Sequence, residues 1–193
     1  GHPHEYLYKI ALFTGLREGE VLGLGWEHID FQAGTLTVKR QLRREQKKGG
    51  EYYFSPPKNN KSRCLTLAPS VIQLFRLQKL EQNSMRMEAG DAWEEHGLIF
   101  TNQTGGYLSY RTVYDCFKRI VRNIGAPATR FHDLRHTFAV ASIKSGDDIK
   151  TVQENLGHAT AAFTLDVYGH VTKQMKQESA ERMEQFIKSV SDA

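Results

Sequence analysis

The stretch HEYLYKIALFTGLREGEVLGLGWEHIDF, residues 4–31, carries apolar side chains at Leu7, Ile10 and Ala11 and again at Leu16, Val21, Leu22 and Leu24. Positions three and four apart share one face of an α-helix, so this spacing predicts helix. Gly15 interrupts it and predicts two pieces, with Arg17 opening the second, where free amide groups favour an anion. Downstream the period changes. GTLTVKRQL alternates as a strand does, the turn-rich KKGG leads into EYYFS, and RCLTLA gives a third strand. These runs predict a small antiparallel three-stranded β-sheet with Lys58 at its tip, in the turn PPKNNKS between the last two strands.

Helix signals dominate the remainder. Ser70 and Gln73 form a capping-box pattern ahead of Val71, Ile72, Leu74, Phe75, Leu77 and Leu80, and the polar run 81–96 reads as a helix end and a loop. Ser109 precedes an amphipathic run with Val113, Phe117, Ile120, Val121 and Ile124 on one face and Gly125 as its stop. A further helix is predicted from about His132 to Lys144, then one capped by Asp147 or Asp148 and ended by Gly157. Beyond Val171, the residues Met175, Met183, Phe186, Ile187 and Val190 outline an amphipathic tail, about 172–193. The expected class is therefore α+β, a mainly α-helical domain with one small antiparallel sheet. A chain of 193 residues is long enough for one well-buried domain.

Charge is informative through its distribution. The whole chain has 26 Lys and Arg against 22 Asp and Glu, a formal net charge of only +4. Between Lys39 and Arg63, however, Lys39, Arg40, Arg43, Arg44, Lys47, Lys48, Lys58, Lys61 and Arg63 stand against Glu45 and Glu51 alone. Such clustering is the electrostatic footprint of nucleic-acid binding, although a solvated basic hairpin has the same composition. Cys64 and Cys116 are the only cysteines, without zinc spacing and without the density of an oxidised scaffold. No signal peptide and no membrane-length apolar run is read, so a cytoplasmic protein is expected.

Several residues could act together on a phosphodiester. His132 and Arg135 are three positions apart in FHDLRHTF, so a helix would put imidazole and guanidinium on one face. His158 follows the helix-ending Gly157, and Tyr168 comes ten residues later in LGHATAAFTLDVYGHV. Arg17 and Glu20 are also three apart; they form either an intrahelical ion pair of ~0.2–0.5 kcal/mol or an arginine aimed at phosphate oxygens by its carboxylate. Each residue alone has a plainer reading: a solvated helix face for H-x-x-R, a C-terminal cap for His158, a packed aromatic for Tyr168. Together, one tyrosine, two arginines, two histidines and Lys58 make the set that attacks a phosphodiester without a metal.

The segments TGLREGEVLGLGWEHID, PKNNKSRCLTL, HDLRHTFA and LGHATAAFTLDVYGH occur in the order found in the tyrosine recombinases, the phage and conjugative-transposon integrases, and the chain resembles that family from about Leu12 to Val171. The resemblance implies that Arg17 and Arg135 are the two catalytic arginines, His132 and His158 the flanking histidines, Lys58 the lysine of the β-hairpin turn and Tyr168 the nucleophile. Lys58 is preferred to Lys61 because it precedes Asn59-Asn60 and the strand RCLTL as the family lysine does. The implied activity is site-specific recombination or integration through a 3′-phosphotyrosine, with neither metal nor nucleotide cofactor. The implied partner is double-stranded DNA, on which copies of the chain assemble as a tetramer, with accessory DNA-bending or excision factors and no membrane. Residues 1–193 are expected to be the catalytic domain alone, without the N-terminal DNA-clamping domain of the family. The hairpin carries extra sequence, QLRREQKKGGEYYFS, that compact members lack. Type IB topoisomerase-like relaxation, a catalytically inactive DNA-binding module and a metal-dependent nuclease using His132, His136, His158 and His170 are the alternatives.

Overall fold

Gly15 ends the first helix in the left-handed conformation, φ 65°, with its N–H donating to the carbonyl of Ala11. The computed structural model describes residues 2–47, 49–157, 177 and 179–190, and it divides into two units, 1–138 and 139–193. In the first unit, α1 (Glu5–Thr14) buries Leu7, Ile10 and Ala11 as their spacing requires, and α2 (Glu18–Leu22) follows with Arg17 as its N-cap. α1 packs against α3 (Pro69–Ala89), and the Tyr8 hydroxyl donates to the carbonyl of Val113 at 2.9 Å.

A three-stranded antiparallel sheet is present, but its membership differs from the expected one. Strands β1 (Ile29–Asp30), β2 (Thr35–Val38) and β5 (Arg63–Thr66) form it in the order β1-β2-β5. β3 (Gln41–Arg44) and β4 (Tyr52–Ser55) make a separate two-stranded hairpin. The predicted strand GTLTVKRQL is broken at Lys39-Arg40, where the Arg40 side chain turns back to donate from Nε to the Gly23 carbonyl at 2.9 Å. β1 is two residues long, too short to show an alternation. Lys58 accordingly lies in the connection between the hairpin and the sheet, not at the tip of one continuous sheet. The core joins Leu36, Val38 and Leu65 of the sheet to the helical residues Leu7, Ile10, Phe75, Val113 and Phe117.

α3 departs from the sequence reading twice. It starts at Pro69, with Ala68 as N-cap and no side-chain cap, because proline suits the first helical position and Ser70 lies inside the first turn. It also runs through the polar segment to Ala89. Gln78 and Gln82 are buried there; Gln78 Nε2 donates to the Ile99 carbonyl at 3.1 Å and Gln82 Nε2 to that of Leu98 at 2.8 Å, while Trp26 Nε1 donates to Gln82 Oε1 at 2.7 Å. Polar residues thus sit on the buried face because the segment 98–101 needs hydrogen-bond partners.

α4 (Tyr110–Asn123) is capped by Ser109, whose side chain accepts from the N–H groups of Arg111 and Thr112. Its expected apolar face is buried at Val113, Phe117 and Val121, whereas Ile124 lies just past the helix and is exposed. α5 (Phe131–Lys144) carries His132 and Arg135 in the first unit and continues into the second. There α6 (Ile149–Leu156) is capped by the Asp148 side chain and closed by Gly157 at φ 62°, and residues 179–190 are helical. Among the described residues no helix is long and apolar enough to cross a membrane. His158, Tyr168, Val171 and Met175 lie outside the described residues.

Candidate active site

The turn from Gly15 to Glu20 holds the first candidate arginine by its backbone and by its side chain. Arg17 donates from its N–H to Glu20 Oε2 at 3.0 Å and from Nη1 to Glu20 Oε1 at 2.8 Å. The opening of α2, where free amides are expected to favour an anion, has one of them occupied. The helix is only five residues long, and the Arg17 amide is already taken by Glu20. The guanidinium beside it is carried on a side chain that is 22% exposed.

Glu20 is fully buried, and its carboxylate also receives Arg63 in a bidentate pair, Nη1 to Oε1 at 3.0 Å and Nη2 to Oε2 at 2.7 Å. Burial pushes the carboxyl upward, but the hydrogen bonds and charge of Arg63, followed by Arg17, outweigh it and bring the pKa down to about 2. The group is therefore ionised at neutral pH. Arg63 entered the sequence reading only as one of nine basic residues. Its position on β5, opposite Val38 of β2, is what turns it inward to Glu20, and a charge count carries no such signal.

Arg135 is buried at 2% exposure and donates from Nη1 to the carbonyl oxygen of Gly15 at 2.7 Å. His132, one helical turn earlier, has its pKa lowered by burial first, then by His136, Arg135 and Arg17, against a small opposing effect of Asp133. Its ring stands edge-on to His136 with centroids 4.8 Å apart. Arg17, His132 and Arg135 are thus gathered in one electropositive locality, where the imidazole is biased to its neutral form.

Lys58 and Lys61 are both exposed, in the connection from Ser55 to Arg63. Among the described residues, neither makes a hydrogen bond or ion pair with Arg17, His132 or Arg135. His158 and Tyr168, the remaining two members of the expected set, lie outside the described residues.

The basic hairpin borders this cluster, since α2 packs on β3. Register puts Leu42, Arg44, Tyr52 and Phe54 on one face and Gln41, Arg43, Tyr53 and Ser55 on the other. The first face folds onto the protein: Leu42 is buried, Arg40 lies 4.1 Å over the Phe54 ring, Arg44 5.2 Å over Tyr52, and Tyr52 stacks on Tyr107 at 5.2 Å. Tyr110 donates its hydroxyl to the Leu42 carbonyl. The second face leaves Arg43 exposed and Tyr53 43% exposed. Not all of the positive charge counted in the sequence is offered outward, because Arg40 and Arg63 are partly buried and bound internally, while Arg44 stays exposed with its Nε on the Gly50 carbonyl.

Comparison with known proteins gives a consistent result. The family model described as "Phage integrase family" matches residues 2–175. A tyrosine recombinase XerC-like protein of Caldanaerobacter subterraneus subsp. tengcongensis is 31% identical over 193 residues, covering 95% of this chain and 49% of its own length. The ICEBs1 integrase of Bacillus subtilis is 28% identical over 185 residues, covering 93% of this chain and 48% of its own. Among solved structures, the Tn1549 transposon integrase in complex with transposon right end DNA superposes with a TM-score of 0.77 at 25% identity, over 94% of this chain and 59% of that one. The XerH site-specific recombinase bound to a palindromic difH substrate gives 0.62 at 27% identity, over 94% and 46%. The chain spans about half the length of the curated relatives it matches.

Proposed function

Because the chain belongs to the phage integrase family, we propose that it carries the catalytic centre of a site-specific DNA recombinase that cuts and rejoins DNA through a 3′-phosphotyrosine. The observation that carries this reading is the separate anchoring of two arginines around one turn, Arg17 through Glu20 and Arg135 through the Gly15 carbonyl. Two guanidinium groups fixed in that way supply positive charge where the non-bridging oxygens of a phosphodiester gain negative charge, without reorganisation during the reaction.

The Tyr168 hydroxyl attacks the scissile phosphorus and passes its proton to neutral His132. A phosphorus–oxygen bond to tyrosine forms as the bond to the 5′-oxygen breaks. Lys58 gives that leaving oxygen its proton, and His158 donates a hydrogen bond to a phosphate oxygen. The bond energy is kept in the protein–DNA ester, so a 5′-hydroxyl from a partner strand reverses the sequence in a new pairing. Neither a metal nor a nucleotide cofactor enters these steps. The partner is double-stranded DNA, as in the complexes of the Tn1549 and XerH enzymes. Four copies acting on two duplexes, helped by DNA-bending or excision factors, complete the reading, and the DNA substrate makes the cytoplasm the natural site of action.

A nicked suicide substrate tests it. The full-length protein should be trapped on DNA by a bond that survives denaturant and EDTA, and Tyr168→Phe should abolish that adduct. An adduct that persists in Tyr168→Phe, or that disappears with chelator alone, would overturn the assignment. Exchange of partners between two labelled duplexes separates recombination from simple relaxation of supercoils.

A further inference from the structure

We propose that Arg63 is a positioning residue for strand cleavage, holding the carboxylate of Glu20 so that Glu20 fixes the guanidinium of Arg17. The proposal rests on the reading of Arg17 as a phosphate-binding arginine and goes beyond it, since Arg63 itself touches no substrate.

The geometry is that of a shared clamp. Glu20 accepts four hydrogen bonds, two from Arg17 and two from Arg63, between 2.7 and 3.0 Å. A carboxylate has about four lone-pair sites, so the group is saturated and has no freedom to turn. Each oxygen serves both arginines: Oε1 takes Nη1 of Arg17 and Nη1 of Arg63, and Oε2 takes the Arg17 amide and Nη2 of Arg63. Any rotation of the carboxylate that follows a change at Arg63 therefore moves the hydrogen bond that aims Arg17.

The far end of the clamp is rigid. Arg63 sits on β5 in register with Val38 of β2, and the next pairs along this ladder include the buried Leu36 and Leu65. Its side chain is 10% exposed, against 22% for that of Arg17. The outer arginine of the pair is thus the one left to meet a phosphate, and the inner one is spent on the carboxylate. Lysine cannot replace the inner residue, because a single ammonium cannot make the parallel two-point contact of a guanidinium.

The test compares Arg17→Lys, Arg63→Lys and the double variant in the full-length protein. Single-turnover cleavage of the nicked suicide substrate is measured at saturating DNA, alongside DNA affinity and thermal unfolding. Arg63→Lys should slow cleavage on the order of ten- to a hundred-fold, the scale of a small misplacement of a reacting group, with DNA affinity unchanged. The double variant should be no slower than Arg17→Lys, since both changes disable one element. A substrate with sulfur in place of the 5′-bridging oxygen needs little leaving-group protonation; it should restore Lys58→Ala and leave Arg63→Lys slow.

Additive losses in the double variant, restoration of Arg63→Lys by the sulfur substrate, or wild-type cleavage by Arg63→Lys would each overturn the proposal. If Arg63→Lys unfolds, Glu20→Asp carries the same expectation, because the shortened carboxylate cannot span both guanidinium groups. Wild-type cleavage by Arg17→Ala would instead sink the reading of the site itself, a result distinguishable from failure at Arg63.

Discussion

Arg135 donates from Nη1 to the carbonyl oxygen of Gly15 at 2.7 Å, joining α5 to the break between α1 and α2 across 120 residues of sequence. The break is part of the site because the same turn carries Arg17. Its geometry depends on Gly15 holding φ 65°, a region that costs residues with a Cβ roughly 1–2 kcal/mol. Gly15→Ala should therefore lower unfolding free energy by about 1 kcal/mol in urea titrations and slow cleavage beyond what that loss explains, since it shifts the acceptor of Arg135. Gly15→Asn should be milder, because asparagine tolerates the left-handed region. Unchanged stability in Gly15→Ala would show that the turn relaxes without strain.

The proposed role of His132 as general base predicts a pH dependence. Burial, aided by His136, Arg135 and Arg17, lowers its pKa from the ordinary 6.5. A base works only while unprotonated, so the cleavage rate should decline as pH falls, on an acid limb centred below the usual histidine value. His132→Gln should remove this limb and slow cleavage about 10²–10⁴-fold at pH 7. A limb that survives in His132→Gln belongs to another group.

Glu20 contributes to acid stability. Its folded pKa of about 2 lies below the unfolded value near 4.5, so the folded state binds the proton less readily. The resulting stabilisation is present above pH 4.5 and is lost as pH falls from there through 2. At about 1.4 kcal/mol per unit it is on the order of 3 kcal/mol. Glu20→Gln should unfold more easily at pH 7 yet show a flatter loss of stability between pH 5 and 2. Parallel acid-unfolding curves for the two proteins would contradict the clamp.

Arg43 and Arg44 are both exposed on β3, but Arg44 is held by the Gly50 carbonyl and the Tyr52 ring, which makes Arg43 the better candidate to meet DNA. Arg43→Glu should weaken binding to duplex DNA and reduce the slope of log affinity against log salt by roughly one unit for one lost phosphate contact. Arg44→Glu should in addition destabilise the hairpin, visible as faster amide exchange over residues 41–55. An unchanged salt slope in Arg43→Glu would mean that this face projects away from the duplex.

Local signals were legible where they were local in origin. The helical spacing through Leu7, Ile10 and Ala11, the break at Gly15, the Ser109 cap and the Asp148 cap all follow from residues near one another in sequence. The same holds for His132 and Arg135, whose shared face is set by helical geometry alone. What was not legible depends on partners far away. Ser70 resembles a cap, but Pro69 takes the helix start one residue earlier. Gln78 and Gln82 look like surface residues until the carbonyls of Leu98 and Ile99 are placed beside them. The strand break at Arg40 needs the Gly23 carbonyl, and the internal role of Arg63 needs Glu20. Lys58 against Lys61 is open in both, because two lysines on one exposed connection differ neither in composition nor in contact.

The tail gives the last prediction. Over 179–190 the helix exposes Met183, Phe186, Ile187 and Val190, each more than half accessible. Their spacing of three, one and three places them on one stripe, the pattern of a face built to be covered. Two covers are open: a second copy of the chain, as the family resemblance implies, and the chain's own core. If a second copy is the cover, Phe186→Asp combined with Ile187→Asp should leave monomer stability nearly unchanged, because at least half of each residue is exposed in the single chain. It should also leave covalent adduct formation on a single half-site intact. Assembly on a full recombination site, read by sedimentation or native gels, should fail, and strand exchange should fail with it. A fall in the unfolding temperature of the isolated monomer would instead mean that the stripe is covered by its own chain in solution.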